Sequence, residues 1–279
     1  RGEGGDRGRD GVRAERAGGV PFRNVVAQAG VGVGQEAHEA FFRGRRGDVD
    51  ERTAPFGQQD VGGDGADVHE AQLPLSTDLA RRLRAQARGL GVSAASLFHW
   101  AWAQVLARTT GRDDVVFGTV LFGRLQGGAG TDRTMGLLIN TLPLRVRLGD
   151  SGVRDAVRHA HDALSGLMRH EHASLALAQR CSGLAADAPL FSSILNYRHS
   201  EEHEGEAPAW AQGVDVLAVK ERTNYPFMMS VDDLGDGFEL GAQVSEPIAA
   251  SRMCEYMRQA LESLVDALES APDTPCWRI

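Results

Sequence analysis

Four histidines are the first candidates for chemistry in this sequence. They lie at His159, His161, His170 and His172, in the pairs HAH and HEH. An imidazole can bind a metal ion or transfer a proton near neutral pH. Side chains two residues apart on a helix point roughly 200° away from each other, so neither pair can chelate a metal if the segment is helical. We therefore expect solvated histidines, or histidines near a helix C-terminus, and no metal site.

Three cysteines form the second group of reactive side chains. Cys181, Cys254 and Cys276 are odd in number and widely spaced, and no CxxC pair occurs. This usage favours reduced thiols in a cytoplasmic protein over a disulfide framework. Cys181 follows a helical segment, where a thiolate can be stabilised, but a buried and inert cysteine is the favoured interpretation.

Two glycine-containing segments resemble ligand-binding loops without completing the pattern. The DDLGDG segment resembles the start of a calcium loop, but Leu234 stands where an oxygen ligand is needed. The GGAGTD segment lacks the third glycine of a dinucleotide-binding fingerprint. We predict a hairpin turn for the first segment and a loop for the second. No GxSxG motif occurs, so these motifs point to no set of acid, base and nucleophile.

Composition excludes further classes of function. Lys220 is the only lysine and it follows Val219, which excludes a P-loop and disfavours a pyridoxal enzyme. The net charge of −8 argues against nucleic-acid binding. The longest uncharged stretch, 89–107, contains several polar residues and predicts a buried helix, not a membrane span.

The hydrophobic pattern predicts interleaved helices and strands. The first 20 residues mix glycine with both charges and should be disordered. Ser76 and Ser93 each precede a helical pattern and should cap it. The remaining helical predictions are short pieces at 21–30 and 35–44 and helices after Ser151 and at 249–270, with a long connection at 48–67. The predicted strands are 114–124, 136–148, 191–199, 214–222, 225–233 and 238–245, with Pro143 breaking the second strand. This mixture predicts a layered α/β (α+β) domain without a strict βαβ repeat.

Several segments, taken in order, resemble the condensation domains of non-ribosomal peptide synthetases. MGLLINTLPLRV at 135–146 is similar to the family signature G-x-F-x-N-T-L-P-x-R. The segments 113–124, 188–199 and 223–233 resemble the family's other strand motifs, and PFRNVVAQA with HEAFFRG resembles an earlier one. The late HQDxPFE motif is altered here to HEHASLA at 170–176. The resemblance covers about 21–272, and the order of its motifs is more specific than any one of them.

The resemblance implies a chloramphenicol-acetyltransferase-like fold of two lobes, of which this chain is mainly the C-terminal one. The family's catalytic HHxxxDG motif lies upstream of the matching part, and no two adjacent histidines occur here. The implied organisation is a disordered start at 1–20, the end of the N-terminal lobe and the inter-lobe connection at 21–70, the C-terminal lobe at 71–271 and a tail at 272–279.

The resemblance also implies an activity and partners. Intact family enzymes join two carrier-bound aminoacyl or peptidyl thioesters by amide formation in secondary-metabolite biosynthesis. The substrates would arrive on the 4'-phosphopantetheine arms of carrier proteins, with no cofactor bound directly. The implied partners are a peptidyl carrier protein and adjacent synthetase domains, without nucleic acid or membrane. An exposed lobe interface would favour self-association.

Three residues of the strongest motif are candidates for the substrate tunnel or the lobe interface. Asn140 and Thr141 are polar residues in an apolar run and must find hydrogen-bond partners. A role in joining a strand to a loop is the slightly favoured alternative. Arg145 is expected to form a structural ion pair and not to contact substrate. No catalytic residue is predicted in this chain, and two further interpretations stay open: a non-catalytic docking module for a carrier protein or domain, and an inactive gene fragment.

Overall fold

A six-stranded mixed sheet organises the chain. The computed structural model describes residues 33–46, 49, 51–58, 68–122, 138–185, 188–199 and 223–279. The strands are β1 (Val68–Pro74), β2 (Asp114–Leu121), β3 (Asn140–Arg147), β4 (Ser193–His199), β5 (Phe227–Asp233) and β6 (Phe238–Ser245). Their order across the sheet is β1-β6-β5-β4-β2-β3, so β3 lies at one edge. Strands β2, β4 and β5 are parallel, and the other pairs are antiparallel.

Six helices accompany the sheet among the described residues. They are α1 (Gln35–Arg46), α2 (Thr77–Leu90), α3 (Ala94–Thr110), α4 (Val153–Met168), α5 (Leu175–Arg180) and α6 (Ala250–Ser270). The predicted caps are confirmed, because the Ser76 hydroxyl accepts a hydrogen bond from the Leu79 amide and the Ser93 hydroxyl accepts one from the Ser96 amide. Helix α3 is buried on several sides, with Trp100 and Trp102 almost inaccessible to solvent.

The two faces of the sheet differ in character. Along β6, Phe238, Leu240, Ala242 and Val244 are buried while the residues between them are half-buried, as the alternating sequence predicts. Helices α6 and α3 pack against the sheet on the face of these buried residues. We call this the helix face and the opposite one the second face. Strand register then assigns each side chain of β2–β5 to one face, because directly paired residues share a face.

The last residues of the chain are tied to the start of α4. The amides of Val153 and Arg154 donate to the carbonyls of Thr274 and Pro272, and Gln104 donates its side-chain amide to the Cys276 carbonyl at 2.6 Å. Helix α4 therefore begins where predicted, but the C-terminal segment satisfies its first amides instead of a side-chain cap. Cys276 is fully buried by these contacts.

The structure corrects several predictions. Strand β3 continues through Pro143, which is tolerated because an edge strand has a free side where no amide donor is needed. Strand β1 was not predicted, whereas the helical segment expected before Cys181 is the six-residue helix α5. Residues before 68 also contribute to the core, since Phe42 and Val49 are buried. The domain boundaries stay a prediction, and the expected disorder at 1–20, the helical piece at 21–30, the GGAGTD loop and the strand at 214–222 lie outside the described residues.

Candidate functional site

The three residues singled out from the sequence lie on β3 but point to different faces. Asn140 pairs with Leu121, while Thr141 pairs with Val120 and Arg145 with Val116. Alternation along the strand places Asn140 on the helix face and the other two on the second face. The structure thus keeps the three side chains on one strand without joining them into one site.

Asn140 connects β3 to the loop between α4 and α5. Its side-chain amide donates to the carbonyl of Glu171 at 2.8 Å and to that of Ala173 at 2.7 Å. Both acceptors belong to the HEHASLA segment that replaces the family's late motif. These contacts are the strand-to-loop role that the sequence left open as an alternative. They hold the position of the loop that carries His170 and His172.

Arg145 forms the structural ion pair expected from the sequence. Its Nε donates to Oδ1 of Asp114 at 2.8 Å and its Nη2 donates to Oδ2 at 2.5 Å, which is a bidentate geometry. Its Nη1 also donates to the Arg45 carbonyl at the end of α1. The Arg145 side chain is only 10% exposed. It therefore joins the first residue of β2, the edge strand and α1.

Thr141 begins a row of polar and small side chains across the second face. Val120 is its partner on β2, and the neighbouring pair Thr119–Leu195 places Val120 level with Asn196 on β4. Asn196 pairs with Ser230 on β5, and Ser230 pairs with Gly241 on β6. Adjacent strands lie about 4.8 Å apart, so the row is about 20 Å long. We call these five residues, Thr141, Val120, Asn196, Ser230 and Gly241, the polar row.

The charges beside the polar row are paired. Two residues further along the strands, Arg198 and Asp232 form a bidentate ion pair on the second face, with distances of 2.7 and 2.8 Å. On the helix face, Asp233 accepts hydrogen bonds from Arg84 and from the Tyr197 hydroxyl, each at 2.6 Å. Burial alone would raise the pKa of Asp233, but these bonds and one from the Gly235 amide outweigh it and hold that pKa at about 2. Burial and the Asp233 carboxylate raise the pKa of Tyr197 well above its usual range. This cluster fixes the hairpin between β5 and β6.

Three of the four histidines have protein partners. The exposed His172 has its Nε2 3.7 Å from a carboxylate oxygen of Glu171, and the other two do not fit the solvated interpretation. His161 contacts the Ser96 hydroxyl at 2.9 Å, and His170 contacts His38 with 2.8 Å between the two Nδ1 atoms. Burial and the neighbouring positive groups lower the pKa of both His38 and His170. His159 is exposed, as expected. Within the part of the chain that the structure describes, no group of three or more metal-ligating side chains is assembled.

Each cysteine is buried and free. Cys181 lies at the end of α5, where its thiol is 3.9 Å from the Glu39 carbonyl, and Cys254 contacts the Ala71 carbonyl at 3.6 Å. Burial raises the pKa of the Cys254 thiol to about 11 and also raises that of Cys276. The thiols are thus placed as packing groups, in agreement with the favoured interpretation.

Two grooves border this arrangement. One, of about 600 Å³, follows the free edge of β3 between α1 and α4 and is lined by Phe41, Arg45, Arg145 and His159 among others. The second, of about 460 Å³, lies between α3 and α6 and is lined by Trp100, Tyr256 and Ile279 among others. Neither is lined by a residue of the polar row. None of the described helices is long and apolar enough to cross a membrane.

Sequence reasoning missed Asn196 and Ser230. Both lie in runs predicted correctly as strands, and an asparagine inside an apolar strand was the available signal. Their alignment with Thr141 depends on two parallel crossovers, which no local pattern reveals. Only the strand register of the folded sheet shows that Asn196 and Ser230 lie in one row with Thr141.

Comparison with known proteins gives a consistent result. A sequence profile described as a condensation domain matches residues 35–275. Malpinin synthetase and malpibaldin synthetase from Mortierella alpina are each 52% identical to this chain, over 252 and 255 residues. These matches cover 90% and 91% of this chain but only 3% and 5% of the two synthetases. The chain therefore spans a small part of the length of these relatives.

Solved structures show the same fold. The first condensation domain of the CDA synthetase matches with a TM-score of 0.68 and 20% identity, covering 87% of this chain and 52% of that one. The condensation domain of the monacolin K polyketide synthase MokA matches with a TM-score of 0.64 and 20% identity, covering 86% and 58%. At this identity the likeness establishes the fold alone. About half of each structure has no counterpart in this chain.

Proposed function

Because this chain belongs to the condensation-domain family, we propose that it supplies the second lobe of a domain that joins two carrier-bound thioesters by an amide bond in a non-ribosomal peptide synthetase. The family match over residues 35–275 is the observation that carries this proposal. The ordered polar row on the second face of its sheet supports it, because a second lobe needs polar groups that can position polar substrates.

The proposed reaction is an aminolysis. The amine of the acceptor substrate attacks the thioester carbonyl of the donor, a C–N bond forms, and the C–S bond breaks. The donor's sulfur leaves on its phosphopantetheine arm, and the amine loses a proton to a base. Holding two tethered reactants in place supplies a large effective molarity, which is most of what such a site must provide.

The base in this proposal comes from upstream of the chain. No adjacent pair of histidines occurs in the 279 residues, so the HHxxxDG motif is absent from them. His99 is buried and held in its neutral form by burial, which lowers its pKa to about 4, and it is bonded to Ala95 and Thr119. The contribution of this lobe is thus to bind and orient substrates. Its proposed partners are carrier proteins and neighbouring synthetase domains, acting in the cytoplasm.

Amide formation between two loaded carrier proteins tests this proposal. We define the complete domain as this chain joined to the first lobe of the matching malpinin synthetase condensation domain. The complete domain should transfer the donor acyl group to the acceptor carrier, detected as a mass increase of that carrier. The 279-residue chain alone should give no product, and turnover by the chain alone would overturn the proposed division of roles.

A further inference from the structure

One carboxamide oxygen on the second face has no partner. Oδ1 of Asn196 is buried and forms no hydrogen bond within the described part of the chain, although the Asn196 side chain as a whole is half-buried. Buried polar atoms in folded proteins are nearly always paired, because each one that loses water without a replacement destabilises the fold. An asparagine at this position therefore lowers the free energy of unfolding of the chain.

Small side chains flank Asn196 in the polar row. Its neighbours in the polar row are Val120 on one side and Ser230 on the other, followed by Gly241, which has no side chain. A Cβ added at Gly241 would contact only the Ser230 side chain, at 3.5 Å. The row thus places a carboxamide next to a hydroxyl, with a glycine beyond the hydroxyl.

The two residues that follow Asn196 on the same strand use their polar groups within the protein, in contrast to Asn196. Tyr197, the next residue, points to the helix face and donates its hydroxyl to Asp233. Arg198, which shares the second face, forms the bidentate pair with Asp232. Among the described residues of β4, Ser193 Oγ is also unpaired, but its pairing with Phe227 places it on the helix face. Asn196 therefore carries the unpaired group of β4 that lies on the second face, in the centre of the polar row.

We infer that Asn196 is a substrate-binding residue whose Oδ1 accepts a hydrogen bond from an N–H group of the carrier-bound substrate. Two N–H sources share this chemistry, the amides of the phosphopantetheine arm and the aminoacyl group itself. The inference rests on the proposed function and goes beyond it, because it assigns a substrate contact to one side chain of this lobe.

Two substitutions at adjacent positions give opposite expectations. Asn196→Leu keeps the size of the side chain and removes an unpaired buried oxygen, so the chain should unfold at the same or a higher urea concentration. In the complete domain it should reduce kcat/KM for amide formation about tenfold through the lost hydrogen bond. Tyr197→Phe is the matched control. It removes the bond to Asp233, so it should lower the urea midpoint and leave kcat/KM unchanged.

A substrate change identifies the N–H donor. An aminoacyl thioester of N-acetylcysteamine retains one amide of the arm, and the thioester of 2-mercaptoethyl acetate replaces that N–H with an ester oxygen. If the arm donates, the difference between wild type and Asn196→Leu should disappear with the ester. If the aminoacyl group donates, the difference should persist with both thioesters. Either result supports the substrate contact.

The possible failures are distinguishable. If the wild-type complete domain forms no amide, the proposed function is wrong. If the wild-type domain is active and Asn196→Leu has the same kcat/KM, the inferred substrate contact is wrong. It is also wrong if Asn196→Leu lowers the urea midpoint as much as Tyr197→Phe does, because Asn196 would then be a structural residue.

Discussion

At the scale of residues, Arg145 and Asn196 show two opposite uses of a polar side chain in one sheet. Arg145 places all of its described bonds within the protein and joins β2, β3 and α1. Asn196 leaves an oxygen unpaired in the middle of the second face. The hydrogen bonds of Arg145 stabilise the fold, whereas the unpaired oxygen of Asn196 can accept a hydrogen bond from a substrate.

Arg145→Ala should destabilise the chain strongly. It leaves the Asp114 carboxylate, which is 31% exposed, without its bidentate partner, and we expect a loss of about 2–3 kcal/mol in the free energy of unfolding. Arg147 contacts the same carboxylate at 3.4 Å but is 61% exposed, so Arg147→Ala should cost less than about 1 kcal/mol. Urea denaturation of the two variants measures the contrast, and equal losses would contradict the structural role of Arg145.

His99 should make stability depend on pH. It is fully buried and neutral, with a pKa lowered to about 4 by burial, against 6.5 when unfolded. Between these values the unfolded chain binds the extra proton, so stability falls as the pH drops from 6.5 through 4. The loss should reach about 3 kcal/mol. His99→Asn should flatten the curve of unfolding free energy against pH, and exposed His159→Asn should leave it unchanged. A curve with the same slope in His99→Asn would refute this explanation.

At the scale of elements, the sequence pattern predicted helix caps and strand faces correctly, because neighbouring residues along the chain determine both. Ser76 and Ser93 were read as caps because a hydroxyl before an apolar helical pattern satisfies free amides, and the alternation in β6 gave the correct faces. Strand β1 was missed because it lies at an edge and its burial does not alternate cleanly. Pro143 was misread as a break because the position of β3 at the sheet edge is a tertiary property. The polar row depends on strand order, which the pattern of one segment does not contain.

Gly118 should be indispensable to the packing of β2 against β4. A Cβ at this position would lie 2.5 Å from the Phe191 ring and 2.6 Å from Ile194. Gly118→Ala should therefore destabilise the chain by about 1–3 kcal/mol through overpacking. Gly89 lies in α2 with nothing within 4 Å of an added Cβ, so Gly89→Ala should stabilise the chain by about 0.5–1 kcal/mol. Thermal unfolding of both variants gives the comparison, and a neutral Gly118→Ala would show that the contact relaxes freely.

At the scale of the whole molecule, the described residues form one sheet-and-helix fold with its own core. The C-terminal segment completes that core by binding the start of α4 and Gln104. The sheet end where β2 and β3 meet carries exposed apolar side chains, with Phe122 44% and Ile139 53% exposed. Surfaces of this kind are associated with contacts to other protein surfaces.

The isolated chain should therefore self-associate. Sedimentation should show an average mass that rises with concentration, because burial of Phe122 and Ile139 between copies removes apolar surface from water. Ile139→Ser should weaken this association, and the complete domain should remain a monomer, because we expect its first lobe to cover the same surface. A chain that stays monomeric at all concentrations would contradict the expectation.

The central claim is that this chain is the substrate-positioning second lobe of an amide-forming condensation domain. Its most direct test is the rate at which the complete domain transfers an acyl group between two loaded carrier proteins, compared with the intact malpinin synthetase domain under the same conditions. We predict that the complete domain forms the amide at a rate within about tenfold of the intact domain, since the matched segments of the two proteins are 52% identical. A complete domain that is folded and monomeric but forms no amide, while the intact domain does, would contradict this account.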